Sequence, residues 1–373
     1  MEQTVFSVII PTKNRHNQLL KTIDAHKFWP QEVRDKVELV IADNSDISVN
    51  EMDILKITNI FNNVIYKNEV TQMTISENFS RGLKMSNSKW IIFIGDDDFF
   101  MPQIVEFLEK KNVENYDCIV YNPHKYYWDT CVFLNENVKG SPSALVKAQP
   151  WKEEIVDAEY ELRKSLINGG LTIEKMPRLY HGLVKKKIAE KLLLTEDQEL
   201  ILGSPDISMA TILSCMNLRV LATSESLSIY GASEGSGGGM TTSKTHATLL
   251  EKASFLSNSF RSQWDKRIPG YWSEYTVFPA SIIYVSQMYN LILPRKINFS
   301  AIHLTCLLNE FHYNKFVLSS ICSLRPTDLI NYIALSPYSL IRKIFGKFFR
   351  IIYNNKGNDD ILIIQPAELF KHS

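Results

Sequence analysis

Three short apolar runs in the first hundred residues each end in a polar cluster. Residues 5–10 lead into Pro11-Thr12-Lys13-Asn14-Arg15, residues 37–42 into Asp43-Asn44-Ser45-Asp46, and residues 90–94 into Gly95-Asp96-Asp97-Asp98. Each run is rich in β-branched or aromatic residues, and none alternates with polar residues as a half-solvated strand would. Between them, 17–26, 52–61 and 75–85 carry apolar residues at helical spacing. Buried strands alternating with helices predict a mostly parallel sheet flanked by helices, the doubly wound α/β class. In such sheets ligands bind beyond the carboxyl ends of the strands. The three polar clusters should therefore converge on one crevice.

Bulk properties are permissive. Lys plus Arg and Asp plus Glu are 41 each, so net charge points to neither a nucleic-acid nor an acidic partner. Five scattered cysteines without a CxxC pair argue against a disulfide framework and a zinc knuckle, and fit a reducing compartment. The N-terminus lacks the basic and apolar regions of a signal peptide. The most apolar stretch, 277–294, is interrupted by Ser281, Ser286, Gln287 and Asn290 and reads as a buried helix.

The acidic triplet carries the chemistry. Hard divalent cations such as Mn²⁺ or Mg²⁺ take oxygen ligands, and one such ion can neutralise a departing diphosphate. Clustered carboxylates without a cation would repel, driving at least one to hold its proton. At this point the chain resembles a known family. Residues 7–15, 38–45, and Asn78-Phe79-Ser80-Arg81-Gly82-Leu83 leading to Gly95-Asp96-Asp97-Asp98 and Pro102 resemble, in order and spacing, the family 2 glycosyltransferases of the GT-A fold. Asn87-Ser88-Lys89 departs from the small-Gly-x turn usual there.

The resemblance implies a Rossmann-like GT-A domain and a nucleotide-sugar donor. Pro11, Thr12, Arg15 and Arg81 would belong to the donor site. Asp43 would bond the base, Asp96 the ribose or sugar, and Asp98 the metal, Mn²⁺ or Mg²⁺. Asp97 would join the donor site, although an extended chain would point it away from its neighbours. An inverting transfer needs a general base. Asp206, in Gly203-Ser204-Pro205-Asp206 at an expected helix start, is the candidate, with Asp197 as alternative. Asp206 equally suits a first-turn helix residue serving the orphan N–H groups. His246 is a candidate further metal ligand, and Lys244 a candidate diphosphate contact.

The glycine-rich stretch 231–242 reads as a flexible loop that closes over the donor, or as a linker. Beyond it the chain reads as wholly helical. The expected division is a GT-A domain over 1–245 and a helical C-terminal extension over 246–373. Residues 339–353 interleave Arg342, Lys343, Lys347 and Arg350 with apolar residues, suiting either a membrane interface or a packed helix with a basic edge. The resulting expectation is a metal-dependent inverting glycosyltransferase. It would act on a glycan or lipid-linked saccharide in surface polysaccharide biosynthesis (capsule or lipopolysaccharide), in the cytoplasm at the inner membrane face. The rival is a non-catalytic nucleotide-sugar- or glycan-binding protein of the same fold.

Overall fold

The computed structural model describes residues 4–132, 143–193, 200, 202–242, 247–253, 255–354 and 361–370. The chain opens with β1 (Phe6–Thr12), α1 (His16–Ala25), α2 (Gln31–Arg34), β2 (Val37–Asp43), α3 (Glu51–Ile60), β3 (Asn63–Asn68), α4 (Ile75–Met85) and β4 (Trp90–Phe93). Helix α4 starts at a capping box in which Thr74 and Glu77 each satisfy the other's backbone N–H. Asn50 caps α3 in the simpler way. Next come β5 (Phe99–Phe100), α5 (Gln103–Glu109), β6 (Cys118–Val120), β7 (His124–Tyr127), β8 (Ala144–Val146), β9 (Glu154–Val156), α6 (Ala158–Ile167), β10 (Gly182–Lys185), α7 (Lys186–Ala189), α8 (Pro205–Ser214), β11 (Val220–Ala222) and β12 (Ser228–Ala232).

Among the described residues the main sheet has eight strands in the order β3-β2-β1-β4-β10-β6-β11-β9. Strands β3, β2, β1 and β4 are parallel, with Thr12 beside Asp43 and Asp43 beside Asn68. That register aligns the carboxyl ends, so the polar clusters share one rim. β10 then runs antiparallel to both neighbours. Period-two alternation sorts the core. Ile9, Val40, Ile91 and Phe93 enter one apolar cluster, while Val8, Ile10, Leu39, Ile41, Trp90 and Ile92 enter the other. Both faces are covered, which explains why these strands are apolar throughout.

Two expectations are corrected. The glycine stretch is not a loop throughout: Gly231 lies in β12, and a short helix α9 (Gly237–Thr242) follows. Composition suggested flexibility, but Gly231 serves close packing. A Cβ there would sit 1.8 Å from the Asp97 carbonyl oxygen. Nor is the C-terminal region wholly helical. It contains β13 (Thr248–Leu249) paired with β14 (Tyr271–Trp272), then α10 (Asn258–Ser262), α11 (Glu274–Met288), α12 (Phe299–Asn309), α13 (Asn314–Cys322), α14 (Pro326–Asn354) and β15 (Ile361–Ile363). β15 joins a second sheet, β15-β8-β7-β12-β5, whose other strands all come from the first 245 residues. Phe370 is buried against His26, Trp29 and Phe99. The chain therefore returns to its own N-terminal core. None of the five cysteines forms a disulfide.

Candidate active site

The rim of the parallel strands opens into a cleft of about 470 Å³. Pro11, Thr12, Arg15, Asp96 and Asp97 line it, with Lys13, Asn44, Asn78, Tyr180, Ser236 and Phe255. Residues 95–98 form a turn, closed by the Asp98 N–H donating to the Gly95 carbonyl at 3.3 Å. The turn overrides the alternation expected of an extended chain, so Asp96 and Asp97 both reach Arg15. Arg15 Nε lies 3.2 Å from Asp96 and Nη2 lies 3.4 Å from Asp97. Thr12 donates to Asp96 at 2.6 Å and Ser233 donates to Asp97 at 2.6 Å. The backbone of the turn is also held. Thr22 Oγ1 donates to the Asp96 carbonyl and Trp128 Nε1 to the Asp97 carbonyl.

Asp98 does something else. Its carboxylate accepts from the Gly95 N–H at 2.6 Å, the Gly231 N–H at 2.6 Å, the Tyr180 hydroxyl at 2.8 Å and His181 Nε2 at 3.0 Å. It is 1% exposed and does not line the cleft. Four protein donors are thus shared between the two oxygens of Asp98. Asp43 is held likewise. It accepts from His16, Tyr66 and the Ser45 N–H, and its neighbour Asn44, not Asp43, reaches the cleft. Arg81 is also absent from the cleft lining. It donates to the Asp43 carbonyl at 2.6 Å and to Asn78, bracing the strand end.

The electrostatics divide the triplet. Burial, repulsion from Asp97 and Asp98 and the opposing pull of Arg15 leave Asp96 raised to about 7. Burial and the Asp98 charge push Asp97 up as well. For Asp98 burial pushes upward, but His181 and the backbone donors prevail and hold it below the ordinary carboxylate range. The two cleft carboxylates share a single cation, Arg15, and their oxygens are the hard donors Mn²⁺ or Mg²⁺ prefers. Among the described residues no group of three His, Cys, Asp or Glu side chains converges on one metal position. A cation there would draw its remaining ligands from a diphosphate and water, as Mg²⁺ commonly does.

Asp206 stands in the first turn of α8, after Ser204 and Pro205. It lines an adjoining pocket of about 220 Å³ with Tyr230, Phe255, Trp272, Glu274 and Phe278. Ile75, Gly237 and Phe255 border both cavities. Burial raises Asp206 to about 6; His181 pulls it down and Asp98 pushes it up. Asp197, Lys244 and His246 lie outside the described residues. Sequence reasoning missed Tyr180, His181, Tyr66 and Ser233. His181 is buried, holds a left-handed backbone (φ 52°), and links Asp98 to Ser228. Its only local signal is polarity next to an apolar strand, while its partners lie 83 and 47 residues away.

Comparison with known proteins adds similarities to this picture. The model of "Glycosyl transferase family 2" matches residues 7–149. A Haemophilus influenzae protein described as an uncharacterized glycosyltransferase is 24% identical over 136 residues, which make up 35% of this chain and 41% of that relative. Less than half of the relative's length is therefore represented. Among solved structures, S. aureus TarS 1–349 in complex with UDP-GlcNAc aligns with a TM-score of 0.44 and 14% identity, covering 89% of this chain and 79% of that one. The mannosyltransferase PcManGT from Pyrobaculum calidifontis, in complex with GDP-Man and Mn²⁺, aligns at 0.38 and 10%, covering 93% and 89%. Residues 7–149 thus match the model of glycosyl transferase family 2, and the strands they contribute belong to a mixed α/β sheet flanked by helices.

Proposed function

We propose that the chain is a metal-dependent inverting glycosyltransferase. The observation that carries this is the adjacency of two cavities. One presents Asp96, Asp97 and Arg15, and the other presents a carboxyl raised to about 6. The first takes the nucleotide sugar, with Pro11, Lys13 and Asn44 toward the nucleotide. Asp97, assisted by Asp96, would hold the cation, which would neutralise the departing diphosphate. Asp98 is a positioning residue: it fixes the turn that aims the other two. Arg15 balances their charge and orients them.

The acceptor hydroxyl enters the second cavity. Its oxygen bonds to the anomeric carbon from the face opposite the diphosphate. The carbon–diphosphate bond breaks, the nucleoside diphosphate leaves, and the hydroxyl proton passes to the Asp206 carboxylate. A base of pKa about 6 is ionised at neutral pH yet still accepts a proton in the transition state. The faces of Phe255, Trp272 and Phe278 suit a saccharide acceptor, apolar on one side and hydroxylated on the other. The finer reading is a glycan or lipid-linked saccharide of surface polysaccharide biosynthesis, handled at the inner face of the cytoplasmic membrane.

A donor screen tests this. The protein is mixed with UDP-, GDP- and dTDP-sugars, with Mn²⁺ or Mg²⁺ and then with EDTA. Thermal shift and nucleoside diphosphate release are read. One donor class should give a shift that EDTA removes and Asp97→Ala abolishes. Asp98→Asn should lower the melting temperature without donor and weaken the shift only in part. No metal-dependent shift with any donor would overturn the enzyme reading in favour of a non-catalytic binding protein.

A further inference from the structure

His181 keeps a backbone conformation that its residue type resists. Its φ is 52°, in the left-handed region where a Cβ crowds the following carbonyl. The surrounding chain holds it there. The His181 N–H donates to the Phe93 carbonyl at 3.1 Å, and the Phe93 N–H donates to the Leu179 carbonyl at 2.8 Å. Residues 179–181 thus run beside the end of β4, just before the acidic turn. Arg178 is buried and donates to the carbonyls of Glu174, Tyr121 and His181 at 2.5, 2.5 and 3.3 Å. A Cβ on Gly182 would lie 2.3 Å from the Arg178 carbonyl oxygen. Backbone strain that its surroundings maintain clusters at functional sites.

The side chain does not line the cleft, yet both of its nitrogens are engaged. Nε2 meets Asp98 Oδ2 at 3.0 Å and Nδ1 meets Ser228 Oγ at 2.7 Å. Ser228 is fully buried in β12. The same strand sends the Gly231 N–H to the other Asp98 oxygen, and Ser233, just beyond its end, donates to Asp97. The β12 segment therefore grips the acidic turn at three points, and at one of them only through the imidazole. Tyr180 completes the strap: its hydroxyl reaches the same Asp98 oxygen and its side chain lines the cleft. Groups that orient metal-holding carboxylates from behind commonly change metal affinity ten- to a hundred-fold when removed.

We propose that His181 is a positioning residue for cation binding: by tying Asp98 to Ser228 it holds the turn at the angle from which Asp96 and Asp97 meet a divalent ion. This rests on the metal-assisted reading of the cleft, and extends it to a residue outside the matched segment 7–149. The test is calorimetric titration of the whole chain with Mn²⁺–inorganic diphosphate. His181→Gly removes the imidazole and places at this φ the residue that tolerates it best, so the variant should keep its circular dichroism spectrum. Its affinity for Mn²⁺–diphosphate should fall by about ten-fold or more. Free imidazole should recover most of that loss in His181→Gly and should not tighten binding by the wild type. Ser228→Ala, which leaves the imidazole in place and frees Nδ1, should weaken binding by less and show no response to imidazole. This second variant carries the test if His181→Gly does not fold. Unchanged affinity in both variants would overturn the proposal. So would a loss in His181→Gly that imidazole leaves untouched, which would make the residue a packing element only. A wild type that does not bind Mn²⁺–diphosphate would overturn the metal reading of the cleft itself, and this proposal with it.

Discussion

Three consecutive aspartates share one composition and have three environments. Asp96 faces Thr12 and Arg15, Asp97 faces Ser233 and Arg15, and Asp98 faces four donors. Asp206 differs again, raised by burial against the pull of His181 and Arg178. Asp206→Asn should cut turnover by about 10² to 10⁴ while leaving the donor thermal shift intact. Wild-type turnover should rise with pH through about 6, because only the ionised carboxyl accepts the proton. The stability effect has the opposite sign. A raised folded pKa means the folded protein retains, between the ordinary carboxylate value and about 6, a proton that the unfolded chain has lost. Ionising Asp206 above that window costs stability, so Asp206→Asn should melt at pH 8 no lower than wild type. A substantially lower melting point would mark Asp206 as a structural helix residue instead.

At the scale of elements, the strands and helices of the first hundred residues were legible because propensity and burial agree there. The spacing over 75–85 matches α4 end to end, and Pro205 marks the start of α8. The failures have one physical origin. Gly231, His181 and β15 are specified by partners far along the chain, so local composition misdescribes them. A glycine-rich stretch looks loose, yet β12 is pinned because Gly231 must approach Asp97. The reach of Arg81 to the Asp43 carbonyl was hidden in the same way, since it depends on how α4 sits on β2. The tail gives the element-scale prediction. Phe370 is 2% exposed among aromatic rings, so Phe370→Ala should cost about 3–5 kcal/mol, measured by denaturant unfolding. A cost below about 1 kcal/mol, the range of ordinary surface changes, would mean the tail adds nothing to the core.

For the whole molecule, a division at residue 245 does not divide the interior. One apolar cluster runs from Ile9 and Phe93 on the sheet through Leu213 on α8 to Ile282 and Phe299 on α11 and α12. Ser281 of α11 also receives the Ser204 N–H at 2.7 Å, just before Asp206. The candidate base is therefore braced by the C-terminal helices, outside the matched 7–149 segment. Thermal unfolding read by far-ultraviolet dichroism and by tryptophan fluorescence should give coincident transitions. Two separated transitions would show that the helical region folds alone.

The return of the chain to its beginning also bears on how the protein is made. The aromatic cluster around His26 and Trp29 lacks one ring until residue 370 has left the ribosome. The first α/β units emerge early, yet His26, Trp29 and Phe99 stay uncovered by this ring until then. Closure of this cluster thus waits on Phe370, more than three hundred residues after His26 and Trp29.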